Sequence, residues 1–396
     1  MAGLRNGSQT MRGHIRRRGE RSWEVKFDLG SDPITGKRET RYASIKGTKR
    51  EAQAELIRLM DAVRRGDYID PSKVTVSEFL DRWEKDWAAN NVSPKTRERF
   101  SQLIMHQVLP HLGNIPIQKL RAVHLSELYG KLLRDGRVGG GELSAKTVGH
   151  VHRCLRRAFG HAAQWGLITQ NPAALVHSPR VQQAEMEILR ENEVEAMFAN
   201  LRDRNALLHT IAIVALGSGL RRGELCALRW SNIDLDSRTR RVEQSLEEIQ
   251  AGLRFKAPKT KHGLRTMTLP TSVISELRAH WRSQNEQRLA LGIGRSTPED
   301  LVFPAWNNQP LLPNTLSREW SRTIAAIGGR QISLHALRHT HASSLIAAGV
   351  DILTVSRRLG HANPTITLGV YGHLYGNTDD RAAQAIDAML SRTRTE

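Results

Sequence analysis

The apolar residues of this chain keep no single spacing, and the places where the spacing changes divide it into modules. From His14 to about Ile45 the period is two, with Trp23, Val25 and Phe27 alternating with Glu24, Lys26 and Asp28. Such alternation marks strands with one buried face. The turn-forming run Ser31-Asp32-Pro33-Ile34-Thr35-Gly36 precedes a second alternating run, Arg38 to Ser44. A small three-stranded antiparallel sheet is predicted, followed by a helix from Lys49 to Arg65 with the stripe Ala52, Leu56, Ile57, Met60 and Val63. Arg16, Arg17, Arg18, Lys37, Arg38 and Arg41 are expected on one surface of this sheet.

Asp70-Pro71-Ser72 ends that pattern, and Val74 to about Ile168 reads as helical. Phe79, Leu80, Trp83 and Trp87 form one apolar stripe, and Ser93-Pro94 is an N-cap with a first-turn proline. Gly113-Asn114 and the glycines of 136–141 are loops. A last helix from Ser144 to Trp165 carries Lys146, His150, His152, Arg153, Arg156 and Arg157 on its polar side. Asn171-Pro172, Ser178-Pro179 and polar residues 182–187 read as linker. Beyond it, helices flank short strands at 241–245, 253–256 and 264–269. The expectation is a multidomain, mainly α chain: a β-sheet-plus-helix module over 1–68, a helical bundle over 74–175 and a linker over 176–187. An α+β, mostly helical module with a small antiparallel sheet follows over 188–396.

Lysine and arginine number 59 against 40 acidic residues, a net charge of +19 distributed along the chain, so a polyanion is the natural partner. A membrane is the rival polyanion, but no apolar run approaches the roughly 20 residues a spanning helix needs. The Arg-rich start has no apolar core segment of the secretory kind, and a cytoplasmic, nucleoid-associated protein is expected. Cys154 and Cys226 sit in apolar helical patterns and are expected to be buried thiols.

Four short segments carry groups suited to chemistry on phosphate. In Ser218-Gly219-Leu220-Arg221-Arg222-Gly223-Glu224, Glu224 lies one turn from Arg221 and can hold its guanidinium; alone, this is an ordinary surface pair. Lys259 and Lys261 crowd a turn before a strand, where a lysine on a hairpin tip could reach a site and donate a proton. In Leu334-His335-Ala336-Leu337-Arg338-His339-Thr340-His341, His335 and Arg338 share a helix face and can meet one anion. The His335–His339 spacing also suits zinc, but Ala336 stands where a metalloprotease needs Glu, and no metal is expected. His339 and His341 read as packing or DNA-facing residues. Tyr371 and Tyr375 both follow Leu359-Gly360-His361 and have equal claims from composition.

In order and spacing, Arg221, Lys261, His335-x-x-Arg338, Gly360-His361 and Tyr371-x-His resemble the catalytic signature of the tyrosine recombinases of the phage integrase type. The resemblance covers about 188–377, with Ser218 standing where the family commonly has Thr. More weakly, 74–175 resembles the family's core-binding domain and the N-terminal sheet its arm-binding domain. The resemblance implies a site-specific DNA recombinase in which Tyr371, not Tyr375, is the nucleophile. Arg221, Lys261, His335, Arg338 and His361 are then catalytic, with Glu224 in support and no cofactor. A phenol needs its proton removed, and His335 is the expected acceptor. The implied partners are core and arm sites in double-stranded DNA, contacted by the sheet arginines and by Lys146, Arg153 and Arg157. A homotetramer and DNA-bending and excisionase proteins are implied as well. The tail 379–391, with Ala382, Ala383, Ile386, Met389 and Leu390 as a stripe, could dock on its own domain or on a neighbour. The alternatives are a resolvase of chromosome or plasmid multimers, a type IB topoisomerase and a non-catalytic DNA-binding protein.

Overall fold

A computed structural model describes residues 13–31, 35–182, 186–258, 261–328 and 330–372, with 383–384, 386–387 and 389–390 of the tail. Internal contacts divide the chain into two units, Met1–Gln182 and Gln183–Glu396.

The first unit opens with β1 (His14–Gly19), β2 (Ser22–Ser31) and β3 (Arg38–Lys46), an antiparallel sheet in sequence order. The expected turn residues Asp32, Pro33 and Ile34 lie outside the described residues. Helix α1 (Lys49–Arg65) starts with a reciprocal cap between Thr48 and Glu51 and lays Ala52 and Leu56 on Val25 and Phe27. Strand register corrects the expectation of a single basic surface. Ile15, Val25 and Ala43 stand opposite one another, as do Arg17, Trp23 and Ile45, and Phe27 faces Arg41. Because side chains alternate, Arg17 and Arg41 lie on the α1 side and Arg16 and Arg18 on the outer side. Arg17 packs over the Trp23 ring, and Arg41 is held by Asp70 (2.8 Å) and Glu39 (2.7 Å). Arg18 and Arg38 pair with Glu24 and Asp28 (2.7 and 2.5 Å), and Lys37 is exposed.

The helical part of this unit comprises α2 (Val76–Trp83), α3 (Pro94–Leu103), α4 (Ala122–Asp135) and α5 (Ala145–Gln164). Thr75 and Glu78 cap α2 reciprocally, and Ser93 caps α3. Phe79, Trp83, Leu125, Leu132, Leu155 and Phe159 fill the core, where the Trp83 indole donates to His161 Nδ1 at 2.8 Å. On α5, Lys146, Arg153 and Arg157 are exposed at spacings that keep them on one stripe. His152, expected on that polar side, is buried instead and meets the Tyr129 hydroxyl at 3.2 Å. It falls next to Val151 on the inward face.

The second unit contains α6 (Glu191–Arg204), α7 (Ala206–Ser218), α8 (Arg222–Cys226), β4 (Ile233–Asp234), β5 (Thr239–Val242), β6 (Ser245–Ile249), β7 (Gly252–Lys256) and β8 (Arg265–Thr268). Helices α9 (Thr271–Ala290), α10 (Pro313–Ala326), α11 (Leu334–Ala347), α12 (Ile352–Leu359) and α13 (Pro364–Tyr371) complete it. The single strand expected at 241–245 is two strands in different sheets, β4-β5-β8 and the β6-β7 hairpin. Unbroken alternation from Arg240 and Val242 would bury Gln244; the amide stays exposed and the chain leaves the first sheet there. Cys154 and Cys226 are buried free thiols, pushed up to about 12 by burial. No helix among the described residues is long and apolar enough to cross a membrane. In the tail, Ala382 lies outside the described residues, and Ile386, Met389 and Leu390 are exposed.

Phe79 is 1% exposed and stacks near Phe159 with ring centroids 6.1 Å apart. Phe79→Ala removes a large side chain from a closed core and should cost roughly 3–5 kcal/mol. Calorimetry should show the transition of the first unit lowered and that of the second unchanged.

Candidate active site

Two helix ends build this site. Helix α7 stops at Gly219, whose φ of 66° only glycine adopts without strain and where a Cβ would meet the His341 ring at 2.6 Å. Helix α12 stops at Gly360 (φ 64°), where a Cβ would meet the Arg265 guanidinium at 2.7 Å. The carbonyls freed at these ends accept from arginines, as the negative end of a helix dipole favours. Arg338 on α11 donates to Gly219 O (2.6 Å) and Leu359 O (2.7 Å), and Arg221, at the N-cap of α8, donates to Gly360 O (3.0 Å). Two guanidiniums distant in sequence are thereby fixed on one pair of turns.

Glu224 underlies them. It is 4% exposed and accepts from the Arg221 backbone N and guanidinium (both 3.0 Å) and from Arg265 (2.9 and 3.2 Å). Burial alone would raise its pKa, but Arg265 and Arg221 bring it down to about 2. Arg265 also donates to Arg358 O (2.8 Å). Its role was missed in the sequence, although it shares a strand face with buried Met267 and therefore needs a buried partner. Arg240, 2% exposed on β5, joins the same field; burial pushes its pKa down to about 9 while Glu224 opposes the shift. Arg338 is lowered to about 9 by burial and then by Arg221. At neutral pH both remain cations.

Three imidazoles face this charge. His335 keeps part of its ring open to solvent; desolvation of the rest, followed by His339, Arg338 and Arg221, favours its neutral form. His361 bonds Thr367 Oγ1 (2.7 Å) and is pushed down to about 4 by burial and the same arginines. His341 is structural. Its Nδ1 meets Leu216 O (2.6 Å) and its Nε2 accepts from Arg358 (3.0 Å), which requires the neutral Nδ1–H tautomer.

Tyr371, the last residue of α13, is 1% exposed, and its hydroxyl is 2.7 Å from His339 Nδ1. The hydroxyl's partner is therefore His339, read from sequence as a packing or DNA-facing residue, and not His335. The i, i+4 spacing places both rings on one face, 4.7 Å apart and nearly perpendicular. Burial pushes the Tyr371 phenol up to about 12 against the pull of Arg338. Lys261 begins a short turn, Lys261–Gly263, between strands of two different sheets, so it stands on a connection and not on a hairpin tip. Its side chain, Lys259 and Tyr375 lie outside the described residues. Among the described residues no three His, Cys, Asp or Glu side chains cluster to hold a metal ion.

Comparison with known proteins agrees with this geometry. The Phage integrase family model matches residues 187–377, and the model for the phage integrase N-terminal SAM-like domain matches residues 75–133, together more than half of the chain. The chain belongs to the phage integrase family of tyrosine recombinases, enzymes that break and rejoin DNA at specific sites. A tyrosine recombinase XerC-like protein of Caldanaerobacter subterraneus subsp. tengcongensis is 25% identical, over 87% of this chain and 90% of its own. The ICEBs1 integrase of Bacillus subtilis is 27% identical, over 93% of this chain and 97% of its own. The fold matches the Tn1549 transposon integrase in complex with a circular intermediate DNA, with a TM-score of 0.64 at 21% identity, over 80% of this chain and 99% of that one.

A carboxyl drawn from 4.5 in the unfolded chain to about 2 in the folded one contributes roughly 3 kcal/mol. That contribution is complete above pH 4.5 and is lost as pH falls toward 2. Glu224→Gln should therefore lower the denaturant midpoint of the second unit at pH 7 and flatten its fall between pH 5 and 2. An unchanged acid slope in the variant would show that Glu224 is not the group responsible.

Proposed function

We propose that this chain is the integrase of a phage or integrative mobile element and that it cuts and rejoins duplex DNA through a 3′-phosphotyrosine at Tyr371. The observation that carries this reading is the placement of Arg221 and Arg338, each anchored by two bonds, in a cluster that includes the Tyr371 hydroxyl. A phosphodiester in transfer gathers charge on its non-bridging oxygens, and cations with fixed N–H donors stabilise it. Each guanidinium has five donors, so N–H groups remain for those oxygens after the bonds seen here. His335 and His361 add hydrogen bonds, and Lys261 gives the departing 5′ oxygen its proton. The charge that other phosphoryl-transfer enzymes draw from Mg²⁺ comes here from side chains. The phosphotyrosine ester keeps the energy of the broken bond, so a 5′ hydroxyl of another strand can reverse the step without ATP.

Exchange between two duplexes takes four such sites, hence a homotetramer on DNA, in the cytoplasm beside the nucleoid, with bending and excisionase proteins as accessories. Core DNA meets the α5 stripe of Lys146, Arg153 and Arg157. Arm DNA meets Arg16, Arg18, Lys37 and Arg38; Arg17 and Arg41 contribute less because the register turns them to the α1 side of the sheet.

The test uses a nicked duplex carrying the core site mapped from integration junctions. Wild-type protein should form a covalent complex that survives denaturation, and Tyr371→Phe should form none. Trapping by the variant would transfer the role to another residue. Lys261→Ala should slow cleavage about a hundredfold or more. Its rate should recover on a substrate whose leaving 5′ oxygen is replaced by sulfur, because a thiolate departs without a proton.

A further inference from the structure

The contact between His339 and Tyr371 has a chemical consequence beyond packing. Tyr371 Oη lies 2.7 Å from Nδ1, within the range of a strong O–H···N bond. The other imidazoles of the site are committed elsewhere: His361 to Thr367, and His341 to Leu216 O and Arg358. His335 stands edge-on to His339 near Arg221 and Arg222. We propose that His339 is the base that takes the Tyr371 proton, a role that rests on the reading of Tyr371 as nucleophile.

In that step the Tyr371 O–H bond breaks and its proton passes to Nδ1 of a neutral His339 protonated on Nε2. The phenolate oxygen bonds phosphorus, the P–O5′ bond breaks with its electron pair left on O5′, and Lys261 protonates that oxygen. In the reverse step Lys261 takes back the proton of the attacking 5′ hydroxyl, O5′ bonds phosphorus, the bond from phosphorus to Tyr371 Oη breaks, and His339 returns its proton to that oxygen.

The surroundings suit both protonation states. The charged and titratable groups facing the ring are His335 and Arg338 from its own helix α11, Tyr371 from α13 and Glu187 from the segment before α6. Burial and Arg338 keep the imidazole neutral before the reaction, ready to accept. Glu187 pulls the other way and steadies the imidazolium once formed. Its carboxylate accepts from Ser333 N (3.2 Å) and Ser333 Oγ (3.4 Å), at the N-terminus of α11. Glu187 is thus a positioning residue that acts through His339.

Single-turnover covalent-complex formation on the nicked core duplex, followed from pH 5 to 9.5, tests the assignment. Wild-type rate should rise with pH as His339 loses its proton and then level off. His339→Asn keeps a polar atom near the Nδ1 position but cannot take up a proton; His339→Ala removes both functions. Both should cleave at least about a hundredfold more slowly at pH 7, with rates that keep climbing at alkaline pH. Glu187→Gln should move the acid limb to lower pH without abolishing cleavage. His339→Asn cleaving within about threefold of wild type would overturn the proposal by reducing His339 to a geometric support. Faster cleavage by His339→Ala would overturn it the other way, making the bond a lock on the nucleophile. Should the alanine variant fail to bind duplex in a gel shift, the asparagine variant decides. Trapping by Tyr371→Phe would instead defeat the assignment of the nucleophile, so the two failures are separable.

Discussion

The second unit depends on one buried carboxylate among guanidiniums. Glu224 accepts from Arg221 and Arg265 and lies in the field of Arg240 and Arg338. A surface built to receive a phosphodiester has to assemble positive charge before the phosphate arrives, and like charges at such distances repel by several kcal/mol in a partly desolvated setting. One carboxylate cannot neutralise four arginines. The remainder of the counter-charge is dipolar, from the carbonyls of Gly219, Leu359, Gly360 and Arg358. These dipoles are fixed by the backbone and need no reorganisation when DNA binds, a condition that makes electrostatic catalysis effective.

The same arrangement explains why the chemistry is scattered along the sequence. Arg221 and Gly360 are 139 positions apart, and Arg338 and Gly219 are 119 apart, yet each pair is joined by one hydrogen bond. Two left-handed glycines close two helices, and each turn presents carbonyls to arginines from other elements. A side chain at either glycine would strike His341 or Arg265 as well as strain the backbone. The site therefore forms only when α7, α11 and α12 have packed.

This division decides what was legible in the sequence. The period-two runs located β1 to β3, and the Ser93-Pro94 cap located the start of α3, because those signals are local. Which face each arginine of the sheet takes depends on register, and a one-residue offset sends Arg17 and Arg41 to the α1 side. Arg221, Arg338, His361 and Tyr371 were found by motif; Arg265 was not, since nothing near it in the chain announces that Glu224 is its partner. His339 has the same history. A histidine following an arginine on a helix is unremarkable until α13 brings a phenol against it.

Tyr371 shows what burial adds to that list. A tyrosine with its ring in an apolar cluster and its hydroxyl on a hydrogen bond is the common arrangement in cores, and Tyr371 meets both conditions with Ala342, Val355, Leu359 and His339. Packing of that kind fixes the ring and leaves the proton as the variable. Burial makes the phenolate less stable than in water, and Arg338 only partly compensates. The anion is thus less favourable than in water, and on the proposed reading proton loss and attack belong to one event. On the proposed reading, Tyr371 gains its reactivity when a phosphate arrives among the arginines.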